Sequence, residues 1–196
     1  MRKAILHLKN SDPVLGALIE RVGPYRIQFR EPTFETLVRS ITFQQLSGRV
    51  ASVIFERLVS AMPRRKLTPK AILRLPVEEL QKVGLSAQKA AYIVDLARQT
   101  HAKTVNFDQI TALEDAEVIA HLTQVKGVGV WTAHMFLMFA LRRPNILPTG
   151  DLGIRSAIRQ LYALPNLPKP AEIEKIAERW HPYCSVASWY LWRALD

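Results

Sequence analysis

Apolar residues recur three and four positions apart along nearly the whole chain, and strict alternation is almost absent. Only residues 25–29 read as a short extended strand. Asp12, followed by Pro13, starts a helix that Gly23 ends. Pro32 opens the next, running through Leu37, Ile41 and Gln45. Ser47 caps a third, with Val50, Ile54, Phe55 and Leu58 as its buried stripe. Thr68-Pro69 and Pro76 start two short helices, the second stopping at Gly84, and Ser86 caps a longer one through Ala90, Ile93, Val94 and Ala97. Helices over 115–123 and 130–141 flank a tight glycine turn, and helices over 151–162, 170–180 and 185–194 complete the set. About ten helices with short connections predict an all-α fold, with no repeat, low-complexity tract or long linker.

Charge changes this picture more than composition does. The chain has 196 residues, 48% hydrophobic and 22% charged, which excludes a disordered tail, a collagen and a disulfide scaffold. Lys and Arg number 27 against 17 Asp and Glu, giving a net charge of +10. That excess favours a polyanionic partner, with a merely basic surface as the plain alternative. The run Arg64-Arg65-Lys66 reads as a solvated loop. Cys184 is the single cysteine, so the chain builds neither an internal disulfide nor a four-cysteine zinc or iron–sulfur site. A reducing compartment is expected. No apolar run reaches the ~18–20 residues that span a membrane, and the start MRKAILHLKN lacks a signal-peptide core. The expectation is a soluble, intracellular protein with no membrane partner.

The chemistry concentrates between Leu122 and Ile154. In Val125-Lys-Gly-Val-Gly-Val-Trp-Thr-Ala133, Gly127 and Gly129 lie between two apolar-periodic helices. Glycine permits positive φ, so the chain reverses within a few residues. The amides that follow open a helix at its positive end, where a phosphate binds, and Lys126 and Thr132 add a charge and a hydroxyl. On these residues alone, a plain helix–helix turn explains the glycines equally well. Asp151 follows Pro148-Thr-Gly and precedes a helical stretch, which by itself suits an N-cap.

Taken together, this hairpin and the loop Pro148-Thr-Gly-Asp-Leu-Gly-Ile154, with Asp151 twenty positions after Trp131, resemble the helix–hairpin–helix DNA glycosylase superfamily. Phe43-Gln-Gln-Leu-Ser47 and Gly84-Leu-Ser-Ala-Gln-Lys-Ala90 resemble its two minor-groove loops. The likeness runs from about 32 to 192 and is to the alkylpurine branch, 3-methyladenine DNA glycosylase II, in a short form without the N-terminal β domain. The resemblance implies a two-lobed helical bundle carrying a helix–hairpin–helix motif, with the active site in the cleft between lobes. It divides the single module into a lobe of about 32–110 and a hairpin region of about 111–165. The N- and C-terminal helices, 1–31 and 166–196, complete the second lobe.

The family roles then fall residue by residue. Asp151 is the catalytic carboxylate, stabilising an oxocarbenium-like transition state or directing water. Trp131 stands where bifunctional members carry a Schiff-base lysine, which implies hydrolysis without strand cleavage. With Met135, where relatives carry a tyrosine, and Trp192, it forms the base pocket, its π face suited to a cationic alkylated base. The residues that touch DNA are Gln45, Leu46, Ser47, Gly84, Leu85, Ser86, Ala87, Lys126, Gly127, Gly129 and Thr132. The wedge position falls at Ala87, so Leu85 or Leu46 takes its place. The carbonyls of Thr123, Val125 and Val128 fall where the family's hairpin holds Na+ or K+. His134 receives no role.

The resemblance implies a monofunctional glycosylase of base excision repair, releasing 3-methyladenine and 7-methylguanine type lesions after base flipping. It requires no cofactor and has no iron–sulfur cluster. Its partner is double-stranded DNA with alkylated bases. It is expected as a monomer, cytoplasmic and nucleoid-associated in a prokaryote or nuclear in a eukaryote. Three rivals stay open: a glycosylase for another damaged base, a non-catalytic helix–hairpin–helix DNA-binding protein, and a basic helical scaffold.

Overall fold

The computed structural model describes residues 1–195, and among them no strand forms. The helices are α1 Arg2–Ser11, α2 Pro13–Val22, α3 Phe34–Phe43, α4 Gly48–Ala61, α5 Pro69–Arg74 and α6 Val77–Lys82. They continue with α7 Ala87–His101, α8 Asp115–Leu122, α9 Val130–Phe139, α10 Leu152–Leu161, α11 Pro170–Ala177 and α12 Cys184–Arg193. The chain divides into two compact units, Met1–Phe29 with the chain from Leu137 on, and Arg30–Phe136. The second unit takes in the hairpin up to Phe136, which the sequence had grouped separately as 111–165. Residues 137–165 join the terminal segments.

In the unit built from the termini, α2 and α10 pack against α12, and Leu8, Leu15, Ile154, Ile158, Trp180 and Tyr190 share one buried cluster. Asp12 is its polar centre. One oxygen caps α2 by accepting from the amides of Val14 and Leu15 at 3.0 and 3.1 Å. The other accepts from the Tyr162 hydroxyl and, at 2.8 Å, from the Trp180 indole N–H. Such a fully bonded buried carboxylate joins both ends of the chain. Burial and that carboxylate push the Tyr162 hydroxyl far above its ordinary pKa, so it stays a donor.

In the unit Arg30–Phe136, α7 lies against α3, α5 and α6. Its fully buried Ile93 and Leu96 meet a core that includes Leu37, Ile41, Leu58 and Ile72. The glycine hairpin of α8 and α9 closes the unit.

Several elements differ from the sequence pattern. Residues 25–29 form neither strand nor helix. Tyr25 instead packs edge-on to Trp189 with ring centroids 4.8 Å apart, so the alternation marks a segment laid over helices. The helical stretch 1–31 holds a separate first helix before Asp12, Arg2–Ser11, with Ala4 and Leu8 at i,i+4 as its buried residues. Helix α3 starts one residue past Thr33, which supplies the capping hydroxyl, rather than at Pro32. It stops at Phe43, because Gln45 takes a left-handed φ of 55°. Ser47 precedes α4 without a side-chain cap, and Val50 is 48% exposed, with Ala51 buried in its place.

Candidate active site

The hairpin turn occupies residues 123–129. Val128 donates its amide to the Val125 carbonyl at 3.0 Å, and both side chains turn inward. Gly127 has φ +79°, and a Cβ there would lie 2.0 Å from Cδ2 of Tyr92. Both the backbone conformation and the ring of α7 beneath it therefore require glycine. Gly129 is different: a Cβ there would meet nothing within 4 Å. Its freedom from a side chain leaves the surface open beside the start of α9. The first amides of α9 lack intrahelical acceptors and carry the positive end of the helix dipole.

Lys126 is exposed at the tip, its amide donating to Asp95 Oδ2 at 2.9 Å and its ammonium in no ion pair among the described residues. That leaves a charge for a phosphate. Trp131 is 48% exposed in the first turn of α9, with half-buried Met135 one turn on. Thr132, expected to offer its hydroxyl to DNA, is buried, and its Oγ1 lies 3.5 Å from Gln44 Nε2. It ties the hairpin inward instead.

The first loop, Gln45, Leu46 and Ser47, is exposed throughout. Leu46 shows 39% of its surface. In the second loop Gly84 has φ +107° over Ile54, Ser86 caps α7 by accepting from the Lys89 amide at 3.2 Å, and Ala87 is exposed. Leu85 is only 4% exposed. It is a core residue, so the wedge assignment to Leu85 is corrected and Leu46 is the large apolar side chain these loops present.

The carboxylate belongs to the other unit. Asp151 is buried and caps α10, its Oδ1 accepting from the Ile154 amide at 2.9 Å. The same oxygen accepts from the indole N–H of Trp192 at 2.9 Å. Trp192 is half-buried and stacks on Phe139 with centroids 5.9 Å apart at 24°. Trp180, Trp189 and Tyr190 are buried core. A Cβ on Gly153 would lie 3.1 Å from Asp151 Oδ1 and 3.1 Å from Trp192 Cδ1. Glycine at 153 is therefore what lets indole and carboxylate meet. Asp12 and Asp151 are both helix caps whose carboxylates also accept from an indole N–H.

Residues 38–182 match the family model described as HhH-GPD superfamily base excision DNA repair protein. The chain belongs to this superfamily. DNA-3-methyladenine glycosylase 1 of Schizosaccharomyces pombe is 34% identical, over 98% of this chain and 87% of that protein. The structure of the Schizosaccharomyces pombe 3-methyladenine DNA glycosylase in complex with abasic DNA superposes with a TM-score of 0.87, covering 97% of this chain and 95% of that one. DNA-3-methyladenine glycosidase from Bacillus halodurans gives a TM-score of 0.87 at 32% identity, covering 97% and 88%.

Within this member of the superfamily, the candidate residues fall in both compact units. Asp151 and Trp192 are in direct contact, and the first loop is tied to the hairpin, whereas Trp131 and Met135 belong to a different compact unit from Asp151. Sequence reasoning missed Gln44, Lys89, Phe139 and Gly153. Gly153 had a visible signal, a glycine two positions into a helix where alanine would serve the helix better. Gln44, whose Nε2 donates to the Gly127 carbonyl at 2.9 Å across 83 positions, had none. His134 is half-buried, and burial lowers its pKa below the ordinary value against an opposing pull from Asp115. A histidine held neutral in this way is a poor proton donor at pH 7.

Proposed function

We propose that this chain is a monofunctional DNA glycosylase that hydrolyses the N-glycosidic bond of alkylated purines, of the 3-methyladenine and 7-methylguanine type, in base excision repair. The observation that carries this reading is Asp151, a buried carboxylate fixed by a helix N-terminus and by Trp192 in a chain otherwise strongly basic. A helix cap alone needs no charge, since asparagine or serine caps as well, and a carboxylate near an anionic backbone would only weaken a chain that did no more than bind DNA.

The chemistry follows from the substrate. A ring-alkylated purine is cationic, so when the bond to C1′ breaks the electron pair neutralises the departing base and no general acid is needed. The sugar is left as an oxocarbenium-like cation. Asp151 stabilises that charge, and water attacks C1′ while its proton passes to the carboxylate and on to solvent. Trp131 receives the flipped base on its π face, an attraction that a cation strengthens, with Met135 beside it. Tryptophan at 131 has no amine to form a Schiff base, so the strand is left intact. Trp192 donates its indole N–H to Asp151 and offers a second aromatic face to the base. The α9 amides and Lys126 take one phosphate, while Gln45, Leu46, Ser47, Gly84, Ser86 and Ala87 face the minor groove.

Three carbonyl oxygens in a hairpin turn are the neutral, hard donor set that suits Na+ or K+. The Val125 carbonyl already accepts one amide and keeps a second lone pair for a cation. Thr123, Val125 and Val128 would hold the ion, which would brace the turn under the phosphate. The reaction itself draws on no cofactor. The enzyme acts as a monomer on chromosomal DNA, in the nucleoid of a prokaryote or the nucleus of a eukaryote.

The test is incubation of the purified chain with methylated duplex DNA and chromatography of the released bases. Free 3-methyladenine and 7-methylguanine with an unbroken abasic strand support the reading. Release of only deaminated or oxidised bases from damaged duplexes would move it to another lesion, and no release at all would leave a binding protein.

A further inference from the structure

Lys89 lies in the first turn of α7 and forms no ion pair among the described residues. Its ammonium donates instead to the carbonyls of Thr42 at 2.8 Å and Gln44 at 2.5 Å. These lie at the C-terminal end of α3, where carbonyls lack intrahelical donors and the dipole is negative. Burial lowers the Lys89 pKa, and the two carbonyls meet the cost of removing the ammonium from water. The clamp sits immediately before Gln45, whose left-handed φ of 55° is uncommon for a residue with a side chain and needs support from its surroundings.

Other residues of α7 act on the hairpin. The ring of Tyr92 underlies Gly127, Asp95 accepts the Lys126 amide at 2.9 Å, and Gln99 donates to the Gln124 carbonyl at 3.0 Å. Positions 89, 92, 95 and 99 follow one face of the helix. Gln44 closes the circuit, its main chain held by Lys89 and its side chain donating to Gly127.

We propose that Lys89 is a positioning residue for DNA binding: it fixes the loop 44–47 in its exposed conformation and, through Gln44, locks that loop to the phosphate-binding hairpin as one preformed surface. This rests on the glycosylase reading above. Lys89 spends its charge on the protein, so it contributes nothing to the salt dependence of binding, unlike a lysine on a phosphate.

The experiment measures the Kd of a duplex carrying a tetrahydrofuran abasic analogue across a salt series. It compares wild type with Lys89→Met, Lys89→Arg, Gln44→Leu and the double variant Lys89→Met/Gln44→Leu. Lys89→Met is expected to weaken binding about tenfold, the size of a lost charged hydrogen bond. The slope of log Kd against log salt stays at the wild-type value, and Lys89→Arg recovers most of the affinity. The double variant is weaker than either single one by less than the product of their effects, because the residues act in one chain of bonds. A slope reduced by about 0.9, the signature of one lost phosphate contact, overturns the proposal, as does unchanged affinity or full additivity. If Lys89→Met loses its helical circular dichroism, Gln44→Leu decides alone: weaker binding at unchanged slope supports the proposal, and unchanged binding overturns it. A wild-type chain that binds no DNA would refute the glycosylase reading itself, and the proposal with it.

Discussion

Gly153→Ala separates catalytic geometry from stability. The added methyl would lie 3.1 Å from Asp151 Oδ1, 3.1 Å from Trp192 Cδ1 and 3.4 Å from its Nε1. Carboxylate and indole must each yield by a few tenths of an ångström, and their 2.9 Å hydrogen bond is what lies between them. Active-site groups tolerate roughly 0.5 Å of displacement, and a misplacement of about 1 Å costs on the order of a hundredfold. The expected loss in the single-turnover excision rate is therefore about five- to twentyfold. Stability moves differently. Alanine is favoured over glycine inside a helix by about 0.5–1 kcal/mol, which opposes the strain of the two close contacts. The net change stays within about 1 kcal/mol, so a melting temperature within about 4 °C of wild type accompanies the slower chemistry. Affinity for an abasic-analogue duplex stays at the wild-type value, since residue 153 is in neither minor-groove loop nor the hairpin. An excision rate within twofold of wild type would refute the claim that the Asp151–Trp192 contact sets the rate. A loss confined to affinity would do the same.

Three further outcomes follow from the site. Lys126→Ala weakens binding to all duplexes alike and flattens the salt slope by about 0.9, measured by titration over a salt series, with the rate at saturation retained. Leu46→Ala leaves the melting temperature unchanged but slows excision, whereas Leu85→Ala, a buried truncation, lowers stability by about 2–4 kcal/mol in denaturant melts. Single-turnover rates fall from 3-methyladenine through 7-methylguanine to hypoxanthine, because the neutral base leaves without the help of its own charge; hypoxanthine released as fast as the others would reveal a general acid.

Much of the fold was legible in the chain because its helix signals are local. The caps Asp12 and Ser86, the prolines at 13 and 69 and the stops at Gly23 and Gly84 act within a turn of their own positions. Two misreadings share one cause. Val50 sits on an apolar-looking stripe yet faces out, and Leu85 looks like a loop tip yet packs inward, because burial depends on the neighbouring helices rather than on spacing. The strand-like alternation at 25–29 reflects Tyr25 and Ile27 resting on a helical core. In the site, Asp151 and the hairpin glycines stood out by type and spacing, since each needs a particular chemistry or backbone conformation. The resemblance makes Trp192 a pocket aromatic. Its contact with Asp151 crosses 41 positions and left no local trace. The same holds for Lys89, an ordinary surface-type residue until α3 is brought beside it.

The central claim is that Asp151 drives bond cleavage, and Asp151→Asn tests it most directly. Asparagine is a good helix cap, and its carbonyl oxygen accepts from Ile154 and Trp192 as the carboxylate does, so the fold and the indole contact persist. What disappears is the negative charge opposite the forming sugar cation. The measurement is the single-turnover release of 7-methylguanine, set beside the Kd for an abasic-analogue duplex. The account predicts wild-type affinity or slightly better and a release rate lower by at least about a hundredfold. Near-normal release with unchanged binding would contradict it and reduce Asp151 to a helix cap.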